Sequence, residues 1–317
     1  MPTVSVIIPA YNRADYIQET VNSVLSQTYT DYEIIVINDG STDQTEEALR
    51  PFIENGSIRY IWQENQGEAA SRNHAMRLAQ GRYYAFLDSD DLFLPAKLEK
   101  QVAFLDAHPE VGLVHSSFIK FSEDGPDLGF RDMSPLTGII YPKILMDWSR
   151  LIVPSTVMVR ASVIADVGDF DLNVGWGPDQ EMWRRITRKY PIGVIPEALS
   201  KYRVHPGNIS ANKVPAAGFL AQNLQKAFDE DPSLGLIFQR RALAKMYANV
   251  AHNVLSAGNP AQKSYVRQFS LKAIRYWPFQ WSAYLGFLGS FLGESLRVRL
   301  LEIWRAARYP DKRVSGG

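Results

Sequence analysis

The chain has 317 residues, 46% of them apolar, enough to bury a substantial core as one large domain or two ordinary ones. It contains no cysteine, which excludes disulfide scaffolds and cysteine-ligated zinc and is compatible with a reducing compartment. The formal net charge of zero hides two unlike halves: residues 1–213 hold 20 Lys+Arg against 28 Asp+Glu, and residues 214–317 hold 14 against 6. Such a split points to two regions with different partners. The opening "MPTVSVIIPAYNR" lacks the basic and long apolar segments of a signal peptide. The longest uncharged tract, Tyr276 to Gly293, carries Pro278, Gln280 and Ser282 and barely reaches membrane-spanning length.

In chain order, "TVSVIIP" is a short β-branched run of the kind a doubly covered strand needs. A helix follows, with Ile17, Val21, Val24 and Leu25 at helical spacing. "YEIIVIND" is a second strand, and "STDQTEEALRPFI" a helix capped by Ser41 or Thr42 with acids in its first turn. "SIRYIWQ", "GEAASRNHAMRLAQ" closed by Gly81, and "RYYAFLD" add strand, helix and strand. This order predicts an α/β fold with a largely parallel sheet covered by helices on both faces. Residues 111–121 and 152–159 read as further strands, 178–189 as a helix opened by Pro178, and 190–205 as strand and loop. From about 214 the pattern becomes helical, broken at Asp231-Pro232, Gly258-Asn259-Pro260 and Trp277-Pro278. The expected division is therefore 1–213 and a helical, basic 214–317.

Ligands of such sheets bind beyond the carboxyl ends of the strands. Tyr11 and Asn12, Asp39, and Asp88 with Asp90 stand at three such ends. The stretch "YYAFLDSDD" places Asp88, Asp90 and Asp91 at the tip of an apolar strand, where their mutual repulsion asks for a cation. Aspartates two apart can aim one carboxylate at magnesium or manganese and the other at a neighbouring hydroxyl. The plain alternative is a set of helix-start acids before "LPAKLEKQVAFL".

Together "VSVIIPAYNR", "EIIVINDGSTD", "NQGEAASRN", "FLDSDD" and "GPDQEMWRR" have the order and spacing of family 2 glycosyltransferases, and the chain resembles that family over about residues 3–210. The resemblance implies the GT-A fold and inverting transfer of a sugar from a nucleoside-diphosphate sugar, a UDP-sugar before others, to a glycan or lipid-linked acceptor in polysaccharide, glycolipid or glycan biosynthesis. It implies donor nucleotide contacts from Pro9, Tyr11, Asp39, Arg72, Asp88 and Arg203, with Tyr11 against the base and Asp88 on the ribose. Asp90, the second acid of the DXD motif, and His205 of "YRVHPGNIS" would hold a divalent metal, Mg or Mn; Ser210 is a weaker phosphate contact. Asp91 would cap a helix or support the metal. Asp179 matches the family's general base, with Glu181 a weaker alternative, although the usual Glu-Asp pair is here Pro178-Asp179. Trp176 would face the acceptor, and Trp183 would be core.

The aromatic and basic stretch 276–317, including Trp277, Trp281, Phe291, Arg297, Arg299, Arg305 and Arg308, has two readings. It packs as a helical bundle on the catalytic domain, or it sits at a bilayer interface as a peripheral membrane contact. A cytoplasmic protein, or one at the inner face of the membrane, fits both, and no nucleic-acid motif accompanies the charge. The competing function is a non-catalytic nucleotide-sugar or glycan-binding relative of the same fold, against which the intact Asp88, Asp90 and Asp179 count. A nucleotidyltransferase would want a glycine-rich loop after the first strand, and "PAYNRADY" has no glycine.

Overall fold

The structure is a computed structural model that describes residues 1–123, 125–146, 151–175, 177–205, 207–208, 213–293 and 296. The chain divides into two compact units, Met1–Pro142 with Arg150–Gly207, and Lys143–Ser149 with Asn208–Gly317.

In the first unit the strands are β1 (Val4–Ala10), β2 (Tyr32–Asp39), β3 (Arg59–Gln63), β4 (Tyr83–Phe86), β5 (Leu92–Phe93), β6 (Leu113–Ser122), β7 (Asp127–Arg131), β8 (Met158–Arg160) and β9 (Ile192–Val204). Helices α1 (Ile17–Leu25), α2 (Thr45–Glu54), α3 (Glu68–Leu78), α4 (Lys97–Ala107), α5 (Ala161–Val167) and α6 (Pro178–Lys189) join them. One sheet has the order β3-β2-β1-β4-β8-β6-β9-β5, with β7 beside β6. The first four strands are parallel, and β1 is buried at every position, as its unbroken apolar run requires. The later half is mixed: β8 runs antiparallel to β4 and β6, whereas β9 runs parallel to β6.

Three local details depart from the sequence-based expectations. Residues 152–159 are a strand only from Met158; Pro154–Thr156 forms a 3-10 turn in which Pro154 takes the first position, where its missing N–H costs nothing. β9 continues through a segment expected to be partly loop. Its register against β6 shifts between Ser116 and Phe118, which lets Pro196 sit outside the regular ladder. Helix α2 is started by neither Ser41 nor Thr42: Asp43 Oδ1 accepts the backbone N–H of Thr45 at 3.0 Å.

The second unit contains α7 (Lys213–Glu230), α8 (Leu236–Ser256), α9 (Lys263–Tyr276) and α10 (Trp281–Gly289). Their ends coincide with the three proline-containing breaks read in the sequence. Among the described residues no helix is long and apolar enough to cross a membrane.

Candidate active site

The chain leaves β1 for β2 and β3 on one side, then returns to β4 on the other, so the strand order reverses between β1 and β4. The crevice at such a reversal is where open α/β sheets bind ligands. The register aligns Ala10 with Asn38 and Ile7 with Phe86, bringing the tips of β2, β1 and β4 to one edge. Asn12, in the left-handed region at φ 52°, ties two of these tips together. Its N–H donates to Ser41 Oγ at 3.0 Å, and its side-chain oxygen accepts from Thr42 N at 2.8 Å. Asparagine tolerates that backbone, which explains its place in "YNR". Pro9 is buried within β1, and Tyr11 just beyond it stays 45% exposed, an aromatic face free for a planar ligand.

Asp39 is buried and heavily used. It accepts from the Gln63 side chain (2.6 Å), Gln66 N (2.9 Å) and Gly67 N (2.8 Å). Gly67 has φ 89° and ψ 164°, a backbone essentially reserved for glycine, and it opens α3. Its conformation is what aims its N–H at Asp39.

The β4 tip is the most charged part. Asp90 Oδ2 lies 3.0 Å from His205 Nε2 and 3.3 Å from Arg13 Nε. Gly207 N donates to His205 Nδ1 at 3.2 Å, so Nε2 carries the proton and donates to Asp90. Asp91 is fully buried and does not cap the following helix. It accepts Arg203 N (2.9 Å) and Ser155 Oγ–H (2.6 Å), and Ser155 Oγ in turn accepts Asp88 N at 3.1 Å. Burial and the neighbouring Asp90 and Asp88 drive its carboxyl well above the usual range. Arg203 is 4% exposed, donates from Nε to Asp90 O (2.8 Å), pairs with Glu19, and lies over the rings of Phe121 (4.5 Å) and Tyr16 (5.0 Å).

Arg72, buried on α3, donates to Asp88 Oδ1 at 2.6 Å and pairs with Glu68. Burial raises the Asp88 carboxyl to about 7 against the pull of Arg72. Asp179 stands in the first turn of α6, after Gly177 in the left-handed region and Pro178 at the first helical position. Burial raises its carboxyl too; Arg72 lowers it, Gln180 Nε2 donates to it at 2.9 Å, and Glu68 opposes ionisation. Asp88 in its turn responds to both Asp90 and Asp179. Asp88 is thus the group that feels Arg72, Asp90 and Asp179 together, while Arg72 feels Asp88 and Asp179. Glu181, the alternative base, is 1% exposed and bound to Arg184 and Arg185 at 2.9 Å each. Trp183 is buried against Phe86 and Phe170.

Trp176 and Ser210 lie outside the described residues, as do Arg297, Arg299, Arg305 and Arg308. Sequence reasoning missed Arg13, Glu68 and Ser155. For Arg13 a signal existed: the acidic tip demanded a cation, and Arg13 follows β1, the neighbour of β4. For Ser155 none existed, because its partners are remote in sequence.

The family model for glycosyl transferase family 2 matches residues 5–168. A putative teichuronic acid biosynthesis glycosyltransferase, TuaG, of Bacillus subtilis is 35% identical over 224 residues, 68% of this chain and 84% of that protein. The Escherichia coli enzyme WfaP, a UDP-Glc:alpha-D-GlcNAc-diphosphoundecaprenol beta-1,3-glucosyltransferase, is 30% identical over 67% of this chain and 82% of its own. An uncharacterized glycosyltransferase of Rickettsia bellii is 36% identical over 65% of this chain but only 29% of its own length, so the chain spans less than a third of that relative. Residues 1–349 of Staphylococcus aureus TarS, solved with UDP-GlcNAc, superpose with a TM-score of 0.62 at 18% identity, over 97% of this chain and 92% of that one. That likeness shows the fold, GT-A with helices after it. With the motif-bearing strand tips on one edge and the family model covering half the chain, the protein belongs to glycosyl transferase family 2.

Proposed function

We propose that the protein moves a sugar from a UDP-sugar to an acceptor hydroxyl with inversion at the anomeric carbon, in polysaccharide or lipid-linked glycan synthesis. The observation that carries this reading is the acidic β4 tip with its partners at the carboxyl edge of the sheet: Asp88 on Arg72 at 2.6 Å, and Asp90 between His205 at 3.0 Å and Arg13 at 3.3 Å. A UDP-sugar is supported by the UDP-GlcNAc bound to TarS and the UDP-Glc in the name of WfaP. The names of TuaG and WfaP support an acceptor of the cell-envelope kind, a growing glycan or a sugar on a lipid diphosphate.

In this mechanism Tyr11 stacks on the base beyond the tip of β1, with Pro9 behind it in the strand. Asp39, fixed by three donors, keeps lone-pair capacity on Oδ2 for a base N–H. Asp88 takes the ribose hydroxyls while Arg72 holds it in place. Arg203 fixes the backbone of Asp90 and adds positive charge beside the diphosphate. The acceptor lies toward Asp179, with Trp176 assigned to its sugar face. Asp179 takes the acceptor proton as the oxygen attacks from the face opposite the leaving group, so one displacement inverts the carbon. Its raised proton affinity, a result of burial, makes it a better acceptor of that proton.

Among the described residues no three His, Cys, Asp or Glu side chains gather tightly enough to form a metal cage. Asp90 and His205 nonetheless fit a divalent ion, because carboxylate and imidazole are suitable donors for manganese and sugar-nucleotide phosphates with water commonly complete such a shell. A mannosyltransferase of the same fold, from Pyrobaculum calidifontis, was solved with GDP-Man and Mn2+ (TM-score 0.58, 21% identity, 98% of this chain and 88% of that one). Ligation through Nε2 requires His205 to move its proton to Nδ1 and release Gly207 N–H. The ion would neutralise the departing diphosphate.

The test is Asp179→Asn. Turnover is expected to fall about 10²- to 10⁴-fold while UDP-sugar affinity stays within a few-fold of the parent. A variant with near-normal turnover would remove Asp179 as the base.

A further inference from the structure

Helix α10 is built inside out. Its buried positions are Ala283, Gly286 and Gly289, with Ser290 after them, all small. This face packs against α8 and α9, and a Cβ at Gly286 would fall 2.8 Å from Ser270 Oγ and 3.8 Å from Ala251 Cβ. Tyr284, Leu285 and Phe287 are half-buried, and the exposed stripe carries other large side chains. Trp281 is 75% exposed and Leu288 57%, on one helical stripe; Phe279 at 71% precedes the helix and Phe291 at 62% follows it. Helix α10 has no charged residue. A helix that only covered a core would bury its tryptophan and leucines and expose its glycines and serine.

The stretch of sequence that contains this ridge is cationic. Residues 232–293 contain seven Lys+Arg and no Asp or Glu. Two of those cations touch the end of the ridge: the Arg267 guanidinium lies 5.2 Å from the Phe291 ring, and Lys263 Nζ donates to Leu292 O at 3.2 Å. Exposed aromatic and leucine side chains beside cations are the pattern of an interfacial helix on an anionic bilayer, where aromatics enter the headgroup boundary and cations meet lipid phosphates. With nine residues, α10 is too short to cross.

We propose that the Phe279–Phe291 ridge docks the protein on an anionic lipid surface, with Trp281 and Leu288 inserted and Lys263 and Arg267 on the headgroups. The inference does not depend on the catalytic assignments. It differs from the sequence reading of 276–317 in resting on α10 and the cations of α9, not on the later arginines.

Flotation of the full chain with vesicles of phosphatidylcholine, alone and mixed with phosphatidylglycerol, tests it. Binding is expected to the mixed vesicles, to weaken with salt, and to fall about tenfold or more in Trp281→Ser/Leu288→Ser and separately in Phe279→Ser. These side chains are exposed, so folding should survive, and thermal stabilisation by UDP with Mn2+ reports independently on the donor site. No binding to mixed vesicles, or equal binding by parent and variants, overturns the proposal. So does self-association in the absence of lipid that the same substitutions abolish, because the ridge would then meet a second copy of the chain.

Discussion

His115, in the middle of β6, is fully buried, and its Nε2–H donates to Leu136 O at 2.7 Å. Burial lowers its proton affinity from 6.5 to about 4, so the folded protein holds it neutral while the unfolded chain protonates it. Its contribution is whole above pH 6.5 and is lost as pH falls toward 4, up to about 3 kcal/mol at about 1.4 kcal/mol per unit. Denaturant titrations across that window should show the parent losing more stability than His115→Gln; parallel curves would contradict the assignment. The residue scale is also where sequence reading was most divided. Asp39, Asp88, Asp90 and Asp179 were legible because each sits at a strand tip or helix start whose type could be read locally. Asp91 was not, since its partners Ser155 and Arg203 are set by pairings distant in sequence. The meeting of Asp90 with His205, 115 positions apart, was expected only through the family resemblance, since nothing local in either stretch points to the other.

Among elements, the first four strands and three helices were readable because each strand is a compact apolar run and each helix has its own period and start signal. In the second half β6, β8 and β9 were read in outline, with β8 drawn too long because of the Pro154 turn. β5 and β7 were not: β5 has two residues and β7 is exposed throughout, so neither carries a periodic signal of its own. The join between β2 and α3 shows how an element start serves the site. Gly67 gives α3 its entry and Asp39 its N–H donor through a backbone that L side chains avoid. Nothing lies within 4 Å of a Cβ added there, so Gly67→Ala probes backbone strain without a clash. It should cost about 1–3 kcal/mol in urea denaturation and weaken UDP binding through Asp39. Parental stability and affinity would mean that this conformation is not required.

For the molecule as a whole, the acidic and basic halves of the sequence were visible as a charge count, but their uses were not. The acidic charge includes the carboxylates around the proposed donor site, whereas the basic charge flanks an outward apolar ridge that composition alone could not orient. The most direct test of the central claim is calorimetric titration of the intact protein with UDP, with and without Mn2+, alongside Asp90→Asn. The account expects Mn2+ to tighten UDP binding by about tenfold or more, ~1.4 kcal/mol, in the parent. Asp90→Asn should lose that increment while keeping its metal-free affinity. An increment that survives in Asp90→Asn, or a parent that binds no UDP under either condition, would contradict it.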